Sequence, residues 1–248
     1  MENVRIPPEK RGKKRNKPYI TPQQFEELVS LIAEPYSTMV YVAAWTGFRV
    51  SEICALRWRN VDEVSCKVSI EERYHRGDWS APKSEASNAT VEVNSSVIAR
   101  LAKLKGRILR IRAGKAIRTY RLPDNPGPDD LIFASVCAGK PMRDNNVLTR
   151  HIKPAARKLG LPFVNWLVLR RSFATFLKMA GAEVKDAQAL MRHARASTTL
   201  DIYQQFGSCR KARGGQLIAC PVSSQKWCSD AWAIGGNGKT GNGGTVNA

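Results

Sequence analysis

A repeating pattern of hydrophobic and polar positions begins at residue 21 of the chain. Thr21, Pro22 and Gln24 have the spacing of a helix N-terminus, with a capping box and a proline in the first helical position. The apolar positions that follow recur at intervals of three and four residues: Phe25, Leu28, Val29 and Ile32. Because such intervals place side chains on one face of a helix, the pattern predicts that an amphipathic α-helix begins here.

A largely apolar run over residues 36–45 predicts a second helix, and Gly47 behind it is typical of a helix end. Ser51 then opens a short helix that continues through Leu56. Arg49 therefore falls in the tight junction between two helices, where its side chain is presented rather than buried in a helix face.

Alternation of apolar and polar residues replaces the helical pattern after residue 60. Val68 and Ile70 alternate with polar neighbours, and residues 90–93 repeat the alternation after a polar connection over 77–88. This arrangement predicts antiparallel strands, with Lys83 in or beside the sheet.

Residues 97–112 are predicted to form a helix with a basic side. Its apolar stripe consists of Leu101, Leu104, Ile108 and Ile111, and its basic positions are Lys103, Arg107 and Arg110. The wider stretch 103–121 holds eight basic residues and no acidic one. Such a side can grip a nucleic acid or simply be solvated, and the residues leave both readings open. Residues 123–144, rich in Pro, Gly, Asp and Asn, are predicted as a loop.

The second half of the chain predicts three further helices, over residues 146–159, 166–180 and 184–192. Ser197 can then cap a short helix that contains Tyr203. The resulting fold class is α+β and mainly helical, with a small antiparallel β-sheet.

Composition divides the chain into three parts. Residues 1–18 are basic and contain few apolar side chains, which predicts a flexible arm. Residues 19–206 carry all of the periodic patterns and are predicted to form one domain. Residues 207–248 are rich in Gly, Ser, Asn and Cys and lose periodicity, which predicts a disordered tail.

Charge narrows the class of partner. Forty Lys and Arg against 21 Asp and Glu give the 248-residue chain a formal net charge of +19, so a polyanion is the first candidate. The sequence offers no apolar stretch of the roughly 18 residues that a membrane helix needs, and we expect a cytoplasmic protein with no membrane partner. The six cysteines show no metal-ligand spacing, and we expect them to be reduced thiols rather than disulfides.

Five residues are candidates for chemistry: Arg49, Lys83, Arg170, His193 and Tyr203. Taken singly, each type is more often structural than functional. An isolated arginine usually lies on the surface, and a tyrosine in an amphipathic helix usually belongs to the core. Only their order and local context change that expectation.

Four short segments supply that context. Residues 46–58, TGFRVSEICALRW, resemble the first signature box of the tyrosine recombinase (phage integrase) family, and residues 169–175, LRRSFAT, resemble its second arginine box. Residues 193–203, HARASTTLDIY, are similar to the stretch that links the family's histidine to its nucleophilic tyrosine. Residues 82–87, PKSEAS, resemble the hairpin with the catalytic lysine, so the resemblance extends over about 19–206.

The resemblance implies a role for each candidate. Arg49 and Arg170 would bind the scissile phosphate, whose oxygens gain negative charge during cleavage and suit the planar guanidinium group. Tyr203 would attack phosphorus to give a 3′-phosphotyrosine, and Lys83 would protonate the leaving 5′-hydroxyl. His193 would hydrogen-bond the phosphate or assist proton transfer. No metal, ATP or other cofactor is implied, and the implied partner is double-stranded DNA, with self-association on it and a nucleoid location of prokaryotic type.

Glu52 has two readings. The resemblance implies that it supports the first arginine. The residues alone also allow a simpler role, in which an acid near a helix N-terminus interacts favourably with the helix dipole.

One position departs from the family pattern. A histidine usually stands three residues before the second arginine, and Leu167 occupies that place here. Loss of one transition-state donor typically costs about two to three orders of magnitude in rate, so we expect a weakened site. Arg171 is a poor substitute for the missing donor, because successive helical residues point about 100° apart.

Two further departures concern the ends of the chain. The family's N-terminal DNA-binding domain and the docking helix behind the tyrosine are not evident, and we expect a fragment or minimal form. Two alternatives to a recombinase remain: a catalytically impaired DNA-binding remnant of an integrase, and an activity like that of type IB topoisomerases.

Overall fold

The computed structural model describes residues 17–81, 89–113, 116–135, 139–193 and 196–201. Lys83, Tyr203 and the predicted tail lie outside these residues, and only the last two residues of the predicted arm lie within them.

Eight α-helices are described, and a further helical turn covers residues 196–201. They are α1 Pro22–Ser30, α2 Tyr36–Thr46, α3 Val50–Ala55, α4 Ser95–Ala102, α5 Asp144–Val147, α6 Lys153–Lys158, α7 Trp166–Met179 and α8 Val184–Met191. A 3₁₀ turn, Trp58–Asn60, follows α3, and a wider π-type segment, Leu148–Ile152, joins α5 to α6.

The strands are short and all antiparallel among the described residues. They are β1 Val61–Asp62, β2 Lys67–Ile70, β3 Arg73–His75, β4 Asp78–Ser80, β5 Ala89–Glu92, β6 Ile108–Ala113 and β7 Ala116–Arg121. They form a three-stranded sheet in the order β1-β2-β5 and two hairpins, β3-β4 and β6-β7. The predicted fold class, mainly helical with a small antiparallel sheet, is confirmed.

The first helix forms as its sequence predicts. The Thr21 hydroxyl accepts a hydrogen bond from the Gln24 backbone N–H at 3.2 Å, and the Gln24 side chain accepts one from the Thr21 N–H at 2.9 Å. This reciprocal pair satisfies donors that the first turn of a helix leaves unpaired. Phe25 and Leu28 face the core and are fully buried.

Helix α2 is the centre of the core. Most of its residues are buried, and it packs against α1, α4 and α7. The core cluster joins side chains from these helices and from the small sheet, among them Met39, Phe48, Val68 and Leu169. One hydrophobic core thereby holds together the segments that carry Arg49 and Arg170, through the neighbouring residues Phe48 and Leu169.

The predicted strands pair as expected. Val68 lies opposite Val91 and Ile70 opposite Ala89, so β2 and β5 form the antiparallel pair that the alternation indicated. The connection between them contains an unpredicted hairpin, β3-β4, which packs on α3. Its last described neighbour, Ala81, is two residues before Lys83.

The predicted helix over residues 97–112 is wrong beyond its first half. Helix α4 ends at Ala102, and Gly106 then adopts a left-handed conformation with φ +67° that reverses the chain into β6. In β6, Leu109 is 2% exposed and its neighbour Ile108 is 58% exposed, which is the period of a strand. The apolar residues in this segment fit both periods, and pairing with β7 decided between them.

Candidate active site

The site begins at the junction between α2 and α3. Gly47 ends α2 in the left-handed conformation with φ +62°, and a Cβ added there would lie 2.5 Å from Cδ1 of Phe173. Only glycine fits such a close approach, so the junction is pressed against α7. Arg49 follows as the extended N-cap of α3, and its side chain remains 34% exposed.

Glu52 lies beneath that junction and is 2% exposed. Its Oε2 accepts the Arg49 backbone N–H at 2.9 Å, and its Oε1 accepts Nη1 of Arg49 at the same distance. Burial by itself raises the pKa of this carboxyl, but Arg192 and the hydrogen bonds from Arg49 outweigh it and hold the pKa below its ordinary value. The two readings of Glu52 from the sequence are thus joined in one residue, which caps α3 and also binds arginine side chains.

Arg170 reaches the same place from α7. It is 8% exposed, and its two terminal nitrogens donate to the backbone carbonyls of Gly47 and Met191. Burial and the neighbouring charge of Arg49 lower the pKa of Arg170 to about 9, so the guanidinium group keeps its charge at neutral pH. The carbonyl contacts fix the plane of the fork between the α2–α3 junction and the end of α8.

Arg192, which the sequence did not single out, completes this group. It is 4% exposed, ends α8 in the left-handed region with φ +51°, and donates from Nη2 to Oε2 of Glu52 at 2.6 Å. Its guanidinium carbon lies 4.8 Å from the centre of the Phe48 ring. Its position next to the candidate His193 could have drawn attention to it. An arginine at a helix C-terminus, however, ordinarily indicates an exposed cation near the negative end of the helix dipole.

His193 lies directly behind Arg192 and is partly buried. Its Nδ1 is 3.0 Å from the hydroxyl oxygen of Thr199, a buried residue of the 196–201 turn. Burial, and then the charges of Arg170, Arg49 and Arg192, lower the pKa of His193 to about 4. The imidazole is therefore neutral at pH 7, with one ring nitrogen held by Thr199 and the other able to face a ligand.

Leu167 lies one turn before Arg170 on the same face of α7 and is 52% exposed. The exposed position beside Arg170 is therefore apolar. Arg171, next to Arg170 in sequence, has its pKa lowered by burial.

The structure describes the residues next to the remaining two candidates. Lys83 and Tyr203 lie outside the described residues. Asp201, two residues before Tyr203, accepts a salt bridge from Nζ of Lys17 at 3.0 Å, and Thr199 holds His193 from the same turn. The turn over residues 196–201 thus contacts both the N-terminal segment and His193.

The basic positions predicted on one helix are spread over three local structures. Lys103 caps the end of α4, Arg107 lies in the following turn and Arg110 lies in β6, and all three are exposed. Their common helical face was a wrong prediction, because the helix ends before them. Their charges nevertheless lie on the surface within eight residues of one another in the chain.

Metal-ligating side chains do not gather anywhere in the described part of the chain in groups of three or more. Cys54 and Cys66 are free thiols, and the other four cysteines lie outside the described residues. Of the helices described, none is long and apolar enough to cross a membrane.

Comparison with known proteins places this arrangement in context. The model of the Phage integrase family matches residues 18–207. The integrase of Mycobacterium phage L5 is 26% identical over 188 residues, which cover 75% of this chain and 47% of that protein. The ICEBs1 integrase of Bacillus subtilis (strain 168) is 22% identical over 195 residues, which cover 73% and 49% of the two chains. The chain therefore spans about half the length of the curated relatives it matches.

Two solved structures share the fold. The Tn1549 transposon integrase in complex with transposon right end DNA aligns with a TM-score of 0.59 and 17% identity, over 83% of this chain and 69% of that one. The XerA recombinase aligns with a TM-score of 0.55 and 19% identity, over 82% and 67%. The predicted tyrosine recombinase-like fold is confirmed by these likenesses.

Proposed function

The chain belongs to the phage integrase family, and from this premise and the geometry of its site we propose that it is the catalytic domain of a site-specific DNA recombinase. The observation that carries the proposal is the convergence of three groups: Arg49 and Arg170 lie close to the buried carboxylate of Glu52, and His193 lies close enough to both arginines to sense their charge. Three separate segments of the chain supply these groups, and their common feature is the ability to bind a phosphate.

The arginines supply the charge that phosphodiester cleavage requires. Negative charge grows on the non-bridging oxygens in the transition state, and fixed cations in a site shielded from water stabilise it most. Two of the five N–H groups of Arg170 are used by backbone carbonyls, which leaves three for a phosphate. Arg49 is the more exposed of the two and would meet the scissile phosphate first.

A neutral His193 suits a different task. With Nδ1 held by the Thr199 hydroxyl, the other ring nitrogen carries the proton when the threonine donates, and it can then hydrogen-bond a phosphate oxygen. A neutral imidazole can also accept a proton, as an imidazolium ion cannot.

Tyr203 and Lys83 complete the proposed reaction by family resemblance. The phenolic oxygen of Tyr203 forms a bond to phosphorus, and the bond from phosphorus to the 5′ oxygen breaks. Lys83 gives a proton to that oxygen, while the tyrosine proton passes to a nearby base such as His193. The 3′-phosphotyrosine conserves the bond energy for rejoining, so the proposed cycle uses no cofactor.

Duplex DNA is the proposed partner, and exposed basic residues from α4 to the β6-β7 hairpin are its proposed contacts outside the site. Lys103, Arg107 and Arg110 are the named positions. Replacing all three with Gln should weaken binding to any duplex and reduce its dependence on salt, since each phosphate contact releases counterions. Arg59→Gln is the matched control, because Asp129 and Glu71 already engage that guanidinium group. Exchange between two sites further requires the protein to self-associate on DNA.

Trapping of a covalent adduct tests the proposal. The protein is incubated with nicked duplexes tiled across the DNA that flanks its gene, and denaturing gels are searched for protein bound to DNA. We expect an adduct that Tyr203→Phe abolishes and that Tyr120→Phe, a change in the β6-β7 hairpin, leaves intact. Salt-sensitive DNA binding without any adduct would instead support a DNA-binding remnant.

The exposed Leu167 favours a second candidate function, that of a catalytically impaired DNA-binding remnant of an integrase. Leu167→His restores a donor one turn before Arg170, and a site that lacks only this group should form adduct about a hundred- to a thousandfold faster. Leu167→Gln is the control for polarity at the same exposed position. A remnant would gain nothing from either change.

A further inference from the structure

Arg192 combines two features that are rarely found together. It adopts the left-handed conformation, φ +51° and ψ +47°, which few residues other than glycine occupy without strain, and it is 4% exposed. Arginine is also among the residues least often buried unless it is paired. Strain and burial at one residue indicate that its side chain has a specific partner.

That partner is Glu52, which lies 140 residues away in the chain. The ion pair joins Nη2 of Arg192 to Oε2 of Glu52 at 2.6 Å, and both side chains are almost fully buried, at 3% and 2% exposure. The same oxygen accepts the Arg49 backbone N–H, and the other oxygen accepts the Arg49 side chain. Glu52 is therefore held by two arginines, which share its Oε2 atom.

A role limited to ending α8 would not need these contacts. The Arg192 backbone N–H already caps the helix through the carbonyls of Gln188 and Ala189. A cation that only complements the helix dipole gains as much on the surface, without losing its hydration. The side chain instead crosses the Phe48 ring to reach α3.

We propose that Arg192 is a positioning residue for the proposed DNA cleavage: it holds the Oε2 atom of Glu52, so that the Oε1 atom stays in place to fix the Arg49 guanidinium group where the phosphate binds. The inference rests on the proposed function and adds a residue to it. Because Arg192 immediately precedes His193, the same lock fixes the backbone that carries the imidazole.

The charges of the site support this role. Among the described residues, Arg49, Arg170 and Arg192 face one carboxylate, that of Glu52, so these four groups carry two positive charges in excess. A phosphodiester brings one negative charge, and its transition state gains more. Arg192 thus neutralises Glu52 and leaves the charges of Arg49 and Arg170 for the phosphate.

The first test needs no DNA. The chain has three histidines, so the imidazole resonance of His193 can be assigned and followed by NMR during a pH titration. The charged groups that face it are Arg170 from α7, Arg49 from the α2–α3 junction and its neighbour Arg192. Removing one cation in Arg192→Gly should raise the pKa of His193 toward its ordinary value, and Arg192→Lys should keep it close to wild type.

Glycine is the informative replacement because it fits the left-handed backbone without strain. Arg76→Gly is the matched control, since Arg76 is also a non-glycine residue at φ +51° but lies exposed in the β3-β4 turn. It should leave the His193 titration unchanged. A His193 resonance that titrates identically in Arg192→Gly and wild type would overturn the proposal, whether or not the protein cleaves DNA.

The second test separates chemistry from binding. In Arg192→Gly the rate of adduct formation should fall about ten- to a hundredfold, the factor that matches the loss of one charged hydrogen bond, while the Kd for DNA changes little. Arg192→Lys should recover part of the rate. If Arg192 acts through Glu52, it should add little to the defect of Glu52→Gln, measured where circular dichroism shows all variants folded. Additive defects, or a loss of DNA binding equal to the loss of rate, would contradict this role.

Discussion

Two groups of arginine and carboxylate side chains in this molecule use the same chemistry in different surroundings. In the buried group, Glu52 and Arg192 are 2% and 3% exposed. In the surface group, Arg59 is 40% exposed, and its carboxylate partners Glu71 and Asp129 are 47% and 72% exposed. Both groups contain short ion pairs, so the contacts alone do not distinguish them.

Water distinguishes them. Exposed charges interact through a high dielectric and compete with solvent, so a surface pair contributes little net stability. Buried charges have lost their hydration, and each depends on its partner. Burial raises the pKa of Glu52, but Arg192 and the hydrogen bonds from Arg49 outweigh it and lower that pKa, whereas burial and the charge of Arg49 both lower the pKa of Arg170. Side chains that remain charged although burial has removed their hydration are therefore the best candidates for a functional role.

Removing one carboxylate from each group should produce the largest difference in stability between the two groups. Glu52→Ala leaves Arg192 buried without its carboxylate and should lower the free energy of unfolding by about 3–5 kcal/mol. Glu71→Ala removes a partner of Arg59 and should cost less than about 1 kcal/mol. Urea denaturation of both variants measures the difference. Equal losses would show that burial does not separate the two groups.

A second change tests the close packing that encloses the buried group. Gly47→Ala places a methyl group against Phe173 in a left-handed backbone, and it should cost about 1–2 kcal/mol for conformation and about 1–3 kcal/mol for overpacking. Gly181→Ala is the control, because its φ is +86° but nothing lies within 4 Å of the added carbon. It should show the conformational cost alone in the same thermal or urea unfolding experiment. A Gly47→Ala protein no less stable than Gly181→Ala would contradict the packing.

Acid should weaken the buried group through His193. Its pKa is lowered to about 4 in the folded protein, first by burial and then by the arginines, so the unfolded chain takes up this proton first as the pH falls. The contribution of the neutral His193 to the free energy of unfolding is fully present above about pH 6.5 and is lost as the pH falls toward 4. We expect a loss of about 1–2 kcal/mol, after allowance for solvent screening of the half-buried ring. Urea denaturation at pH 7 and pH 4.5 checks this. His193→Gln should lose less than wild type over that interval, and an identical loss would refute the assignment.

The smallest expected effect lies in the surface group itself. A double-mutant cycle with Arg59→Ala and Asp129→Ala should give a coupling free energy far smaller than the effect of Glu52→Ala. The coupling should shrink further in 0.5 M salt, because exposed charges are screened. A coupling as large as the Glu52→Ala effect would mean that this network also stabilises the fold strongly.

Local sequence signals predicted the helical framework well because their physical causes are local. The capping box at Thr21 satisfies its own helix, and Gly47 stops α2 through its own backbone conformation. The residue types around Arg49 and Arg170 similarly indicated which positions to examine. Whether Lys83 and Tyr203 act as proposed stays a prediction.

Long-range contacts decided the rest. No pattern within residues 97–112 could show that β7 would pair with β6, since the partner strand lies beyond the turn. No local signal could show that Arg192 points inward, because its partner Glu52 is 140 residues away. The sequence alone predicts where helices begin and which positions carry charge. The tertiary structure decides which of these charges are buried and lose their hydration. That loss depends on every neighbour at once, and it is the source of the electrostatic strength of the site.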